Sequence, residues 1–268
     1  MTLEATAPPA AETAADRPVR VGERPPWITP EQWAEYQRVM QSLVTEDDEP
    51  VDNIFSAKQQ PLLVDALYTS WSHPTEGKRF LALANVGVFY SLYAAPLVPD
   101  FLLGIGIEPL QDVWQKEGRS YFTWIFGKAP DVIVEIVSNR EGGELDRKAR
   151  IYADIGVRYY LVYDPQQWLM KEPLRVMANA RGAWQSVEPE ALAPLGLSVT
   201  LWEGNYEGIQ ATWLRWCDPQ GNLLLIGREL AEVERQRAEA ERQRAEAERQ
   251  RAERLAAKLR ALGIDPEA

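Results

Sequence analysis

The sequence predicts an α/β protein in which a mixed central sheet is flanked by helices and followed by a long charged C-terminal helix. Three observations carry this reading. Apolar, β-branched runs bounded by Gly, Pro or polar residues recur from Arg79 onward. The stretch 131–164 alternates strand, helix and strand. From Glu234 a charged seven-residue unit, ERQRAEA, repeats.

Residues 1 to about 26 are rich in Ala, Thr, Pro and Glu without periodicity, which predicts a disordered leader. A first helix opens with Thr29 as N-cap, Pro30 at its first position and Glu31 in its first turn. It places Trp33, Tyr36 and Met40 on one face. The acidic segment TEDDEP reads as a loop, and a second helix is expected around PLLVDALYTSW. Strands follow in FLALANVGVFY, PLVPDFLLGIG, APDVIVEIVS and RYYLVYDP. Between the last two, Leu145, Ala149 and Tyr152 recur at helical spacing, and Gly156 reads as the C-cap glycine. VIVEIV and YYLVY are nearly continuous apolar runs, which favours a sheet covered on both faces. A hairpin is expected around Ala180 to Gly182, with short strands continuing to about residue 226, so the main domain spans 27–227.

Residues 228–262 are expected to form the charged helix, with a short tail over 263–268. Each complete repeat carries two Glu and two Arg at spacings of three and four, so each repeat is neutral and the helix is laced by its own ion pairs. A weak heptad seam runs through Ala231, Ala238, Ala245, Ala252 and Leu259, joined by Leu255 and Leu262. The pattern accommodates a lone helix or a weak coiled coil that would support a homodimer.

With 46% hydrophobic residues, ten Trp, ten Tyr and six Phe, the chain can fill a core. Cys217 is the single cysteine, which excludes an intramolecular disulfide and a multi-cysteine zinc site. There is no apolar run of the roughly 18 residues a membrane span needs, and the N-terminal residues lack a basic start and an apolar region. A cytoplasmic protein without a membrane partner is therefore expected. A net charge of −11 argues against binding a polyanion with the whole surface, so contact with nucleic acid requires a local basic patch. The nearest candidates are Arg140, Arg147 and Arg150.

The chemistry concentrates around Glu135, which sits in the middle of a β-branched strand. Burying an ionised carboxylate there costs several kcal/mol unless a cation or hydrogen-bond donors compensate it. On the following helix Lys148 lies three residues after Leu145 and four before Tyr152, so it belongs to the apolar face, whereas Arg147, Arg150 and Asp154 form a polar stripe. A helix leaving the Glu135 strand must pack back on the sheet, which brings Lys148 toward Glu135; a lysine stem covering apolar surface is the structural alternative. Asp100 follows a proline at a strand start, expected at the solvent edge of the sheet. Asp131 shares the Glu135 face and reads either as a further metal ligand or as strand-entry punctuation. Two carboxylates and a cation are what metal-assisted phosphodiester hydrolysis requires. Of the remaining candidates, Ser138 reads as a turn cap, His73 as a loop residue without zinc or triad partners, and GIGIE at Gly104 lacks the third glycine of a dinucleotide motif. NVG, EGG and the Trp-rich region 202–216 read as turns and packing.

The stretch from PLVPD through PDVIVEIVS, ELDRKARIYADIG and VRYYLVYDP resembles the Uma-two family of restriction-endonuclease-like proteins, within the PD-(D/E)XK nuclease superfamily. The likeness covers roughly residues 60–200 and is most specific from Pro130 to Pro165. It implies a restriction-endonuclease-like fold, Asp100 and Glu135 as ligands of Mg2+ or Mn2+, Lys148 as the catalytic lysine, and DNA as the partner. Val137 stands two residues after Glu135 where the superfamily places its lysine, and the family's lysine on the following helix matches Lys148. The family's acidic YELIDGE-like segment is absent, and Glu31 or Asp65 are the helical acids available to stand in for it. The expected function is a metal-dependent DNA endonuclease. A non-catalytic module of the same fold, binding a partner or itself through the C-terminal helix, is the alternative.

Overall fold

The computed structural model describes residues 23–40, 53–72, 79–108, 112–138 and 143–261. The leader expected before residue 23, TEDDEP, His73 and Arg140 lie outside these residues. The chain divides into two units, Met1–Leu224 and Leu225–Ala268. The first contains, in chain order, α1 (Pro30–Met40), α2 (Ile54–Ser70), β1 (Phe80–Ala84), β2 (Val88–Phe89), β3 (Phe101–Ile105), β4 (Tyr121–Phe122), the single turn α3 (Thr123–Phe126), β5 (Val132–Ile136), α4 (Gly143–Asp154), β6 (Tyr159–Tyr163), β7 (Leu174–Ala180), β8 (Ala183–Val187), β9 (Ser198–Tyr206) and β10 (Ile209–Cys217).

Thr29 caps α1 as the sequence predicts, and it does so reciprocally with Gln32. The Gln32 amide donates to Thr29 Oγ1 at 3.3 Å, and the Thr29 amide donates to Gln32 Oε1 at 3.0 Å. By contrast, α2 begins well before PLLVDALYTSW, at a cap where Asn53 accepts from the Ser56 amide at 3.1 Å. Pro61, which suggests a helix start, lies inside the helix. Burial of Leu62, Leu63, Ala66 and Leu67 outweighs the loss of one backbone donor there.

The main sheet has six strands in the order β1-β3-β5-β6-β7-β8. Only β5 and β6 are parallel, and α4 forms the crossover between them; the other neighbours are antiparallel. Every residue of β3, β5 and β6 is buried, as the continuous apolar runs predict. On one face Leu102, Ile133, Tyr160 and Val162 pack with Tyr152, Leu145 and Ala149 of α4. On the other, the Phe101 and Trp216 rings meet at 5.7 Å, Tyr163 donates to the Thr212 carbonyl at 2.6 Å, and Trp216 donates to the Leu63 carbonyl at 3.1 Å.

Two strand expectations need correction. FLALANVGVFY is not one strand: Asn85, at φ +52°, turns the chain between β1 and β2. The region after residue 197 forms two nine-residue strands, β9 and β10, rather than short strands and turns. They meet at Glu207 and Gly208, both at positive φ, while Arg181 and Gly182 likewise close the expected β7–β8 hairpin.

The second unit holds α5 (Gly227–Ala261). Within it Arg235 pairs with Glu232 at 2.8 Å, Arg237 with Glu241 at 3.3 Å and Arg249 with Glu246 at 2.8 Å, the spacings the repeat predicts. Ala231, Ala238, Ala245 and Ala252 are all exposed in this unit, whereas Leu262 and the Leu259 side chain lie outside the described residues. Among the described residues no helix is long and apolar enough to cross a membrane.

Gly156 ends α4 at φ +89°, with the Val157 amide donating to the Tyr152 carbonyl at 3.0 Å. A Cβ there would meet nothing within 4 Å, so the cost of substitution is conformational. Gly156→Ala is expected to lower the unfolding free energy by about 1–2 kcal/mol, read as a lower urea midpoint with unchanged slope.

Candidate active site

Pairing between β3 and β5 matches Phe101 with Val134, and continuing this antiparallel register by one residue sets Asp100 beside Glu135. The contacts agree: Asp100 Oδ2 accepts from the Ile136 amide at 2.6 Å. Asp100 is only 7% exposed, which corrects the expectation of a solvent-edge carboxylate. The amide of β5 and Gln60 of α2 enclose it, Gln60 Nε2 donating to Asp100 Oδ1 at 2.8 Å.

Glu135 is 3% exposed. Its position faces α4, on the same side as Ile133. From α4, Lys148 Nζ donates to Glu135 Oε2 at 3.1 Å and to the Val98 carbonyl at 3.1 Å. One helical turn later, Tyr152 donates to Glu135 Oε1 at 2.9 Å. The Lys148 side chain is 13% exposed, so it is turned inward as its place on the apolar face predicts. Arg147, Arg150 and Asp154 are exposed on the opposite stripe. Asp100, Glu135 and Lys148 are thus brought together at one end of the sheet.

Burial is the main influence on Glu135, raising its carboxyl from an ordinary 4.5 to about 8. Lys148 and the two hydrogen bonds oppose this, and the neighbouring charge of Asp100 adds to it. Burial, followed by the Glu135 charge, also holds the Tyr152 hydroxyl protonated well above the ordinary tyrosine range.

The other acids weighed from the sequence go elsewhere. Asp131 is buried at the opposite end of β5, where Lys128 and the Ile105 amide donate to its Oδ2 and Arg158 lies 3.5 Å from Oδ1. Asp65 accepts from Thr69 at 2.8 Å within α2, and Glu31 is exposed in the first turn of α1. The residue of α2 that reaches the site is Gln60. Its amide orientation follows from a second contact, since Asn85 Nδ2 donates to Gln60 Oε1 at 3.1 Å, leaving the NH2 group to face Asp100. Gln60 carries no charge and precedes an apparent helix start, so only a reading that extends α2 past Pro61 could find it. Tyr152 was legible as a core residue, and its spacing of four from Lys148 is the signal for its second role.

Among the described residues no three His, Cys, Asp or Glu side chains form a metal-binding group. Asp100 and Glu135 provide two adjacent hard carboxylates. That donor set fits Mg2+ or Mn2+, which are held through one or two carboxylates and keep several waters.

A buried cluster of Asp100 just before β3, Glu135 on β5 and Lys148 on the crossover helix thus lies in a mixed-sheet α/β protein. The family model described as "Putative restriction endonuclease", Uma2, matches residues 44–201, and this chain belongs to that family. The matched span contains Asp100, Glu135 and Lys148. No curated protein matches the chain. A solved structure described as "a putative nuclease belonging to DUF820 from Anabaena variabilis ATCC 29413" is similar at 14% identity and a TM-score of 0.36, covering 69% of this chain and 94% of that one.

The raised Glu135 carboxyl gives the metal-free protein a defined pH response. Its proton is bound more tightly in the folded than in the unfolded chain, so its contribution to stability is fully present below about pH 4.5 and is lost as pH rises toward about 8. In chelator, wild type is expected to lose unfolding free energy relative to Glu135→Gln over that interval. Parallel stability curves for the two proteins would contradict the assignment.

Proposed function

We propose that the chain is a metal-dependent endonuclease that hydrolyses DNA phosphodiester bonds, with Asp100 and Glu135 holding Mg2+ or Mn2+ and Lys148 as the catalytic cation. The observation that carries this reading is the 3.1 Å contact between Lys148 Nζ and Glu135 Oε2, made beside a second buried acid. A lone structural ion pair would need only one carboxylate; here the second one raises the cost of ionising the first.

A divalent ion bound by the two carboxylates supplies an acidified water and neutralises charge on the phosphate. Lys148 orients the attacking oxygen or donates to a phosphate oxygen, where its ammonium offsets the charge that develops in the transition state. The Val98 carbonyl restrains that ammonium, and Tyr152 fixes the Glu135 carboxylate by holding Oε1. Arg147 and Arg150, exposed on the stripe of α4 that turns away from Glu135, provide positive charge for phosphates flanking the cleaved bond rather than for the bond itself.

The test is cleavage of supercoiled and linear DNA by purified protein with Mg2+, with Mn2+ and with chelator. Wild type is expected to nick DNA only with metal. Asp100→Ala, Glu135→Ala and Lys148→Ala should each lower the rate by at least about a hundredfold, on the order of removing one group that stabilises transition-state charge. Cleavage that survives in Glu135→Ala would remove the assignment of the site. A folded wild type that cleaves nothing would favour a binding module built on the same fold.

A further inference from the structure

Two adjacent glutamines in α2 are both buried, and they do different work. Gln59 clamps the helix to β10: its Nε2 donates to the Leu214 carbonyl at 2.8 Å and its Oε1 accepts from the Leu214 amide at 2.9 Å. Both contacts are to the backbone of β10 rather than to an acid of the site. Gln60 instead reaches a side chain, Asp100, at 2.8 Å. Behind it Asn85, at φ +52°, spends its amide on Gln60 Oε1, and its own backbone N–H donates to the Asp100 carbonyl at 3.3 Å. The left-handed turn at Asn85 therefore grips Asp100 twice, once through its main chain and once through Gln60.

This relay has a direction. Were the Gln60 amide reversed, its Oε1 would face the Asp100 carboxylate and its NH2 would face the Asn85 NH2, placing acceptor against acceptor and donor against donor. An ionised carboxylate only accepts, so Asp100 takes the Gln60 NH2 at Oδ1 and the Ile136 amide at Oδ2, while Asn85 Nδ2 satisfies the Gln60 Oε1 that faces away. A carboxylate fixed at both oxygens keeps one orientation, and partners behind a metal ligand act on affinity by fixing that ligand.

We propose that Gln60 is a positioning residue of the candidate metal site, holding Asp100 in its ligand orientation, and that Asn85 anchors Gln60 from behind through its Oε1. The inference rests on the metal-dependent reading above. Gln59 supplies the matched control, because it is the same residue type, on the same helix, equally buried and hydrogen-bonded.

The experiment measures Mn2+ affinity by calorimetry, together with thermal melting, in wild type, Gln60→Met, Gln59→Met and Asn85→Gly. Methionine keeps volume and removes the amide, and glycine keeps the left-handed turn. Gln60→Met is expected to weaken Mn2+ binding about tenfold or more. Asn85→Gly should weaken it in the same direction but less. Gln59→Met should lower the melting temperature and leave Mn2+ affinity unchanged. Wild-type affinity in Gln60→Met, or equal weakening in both glutamine variants, overturns the proposal while leaving the metal site intact. If Gln60→Met does not fold, Asn85→Gly decides: wild-type Mn2+ affinity in that variant overturns the proposal. Absence of Mn2+ binding by wild type defeats the metal-dependent reading itself, and this proposal with it.

Discussion

A carboxylate in the middle of a fully buried strand is costly enough to organise its surroundings. Glu135 lies on β5 among Ile133, Val134 and Ile136, where water cannot solvate it. The sequence meets that cost with α4, which leaves β5, crosses back over the sheet and delivers Lys148 and Tyr152 to the two carboxylate oxygens. For those side chains to arrive, α4 must end where the chain can return into β6, and Gly156 in its left-handed conformation provides the stop. The crossover, the helix face and the terminating glycine are therefore linked to one buried charge.

A second buried acid lies just before β5, in different surroundings. Four residues before Glu135, Asp131 is as deeply buried, yet it lies between Lys128 and Arg158 and accepts a backbone amide. Glu135 has a single ammonium and, beside it, the opposing charge of Asp100. The two acids have thus been given different environments. Asp131 is met by two cations and a backbone amide, whereas Glu135 is met by one ammonium and a phenol, and burial raises its carboxyl.

The supports of the two site acids come from different directions. Glu135 is held by α4 through a cation and a phenol, whereas Asp100 is held by α2 through a neutral amide. A neutral donor fixes an oxygen without adding a competing positive charge. In the second unit, exposed charges of α5 pair with one another three and four residues apart along the same helix.

Much of this was legible in the amino-acid sequence. Local rules placed α1, the β5–α4–β6 unit, the β7–β8 turn, the Gly156 cap and the charged repeat, because period, capping chemistry and positive-φ turns act over a few residues. The same periodicity turned Lys148 inward and toward Glu135. Tertiary structure decided what depends on contacts distant in sequence. Asp100 became buried because β3 pairs with β5 in one particular register and α2 covers the end of it, and neither fact is written near residue 100. The core carried α2 through Pro61, against its local signal, and so brought Gln60 to the site. It also decided which partners each acid met, gathering Lys128, Arg158 and the Ile105 amide at Asp131 and Lys148 and Tyr152 at Glu135, while the extended chain alone keeps these two acids about 13 Å apart. A sequence states which residues are costly to bury; only packing of remote segments decides which of them are compensated.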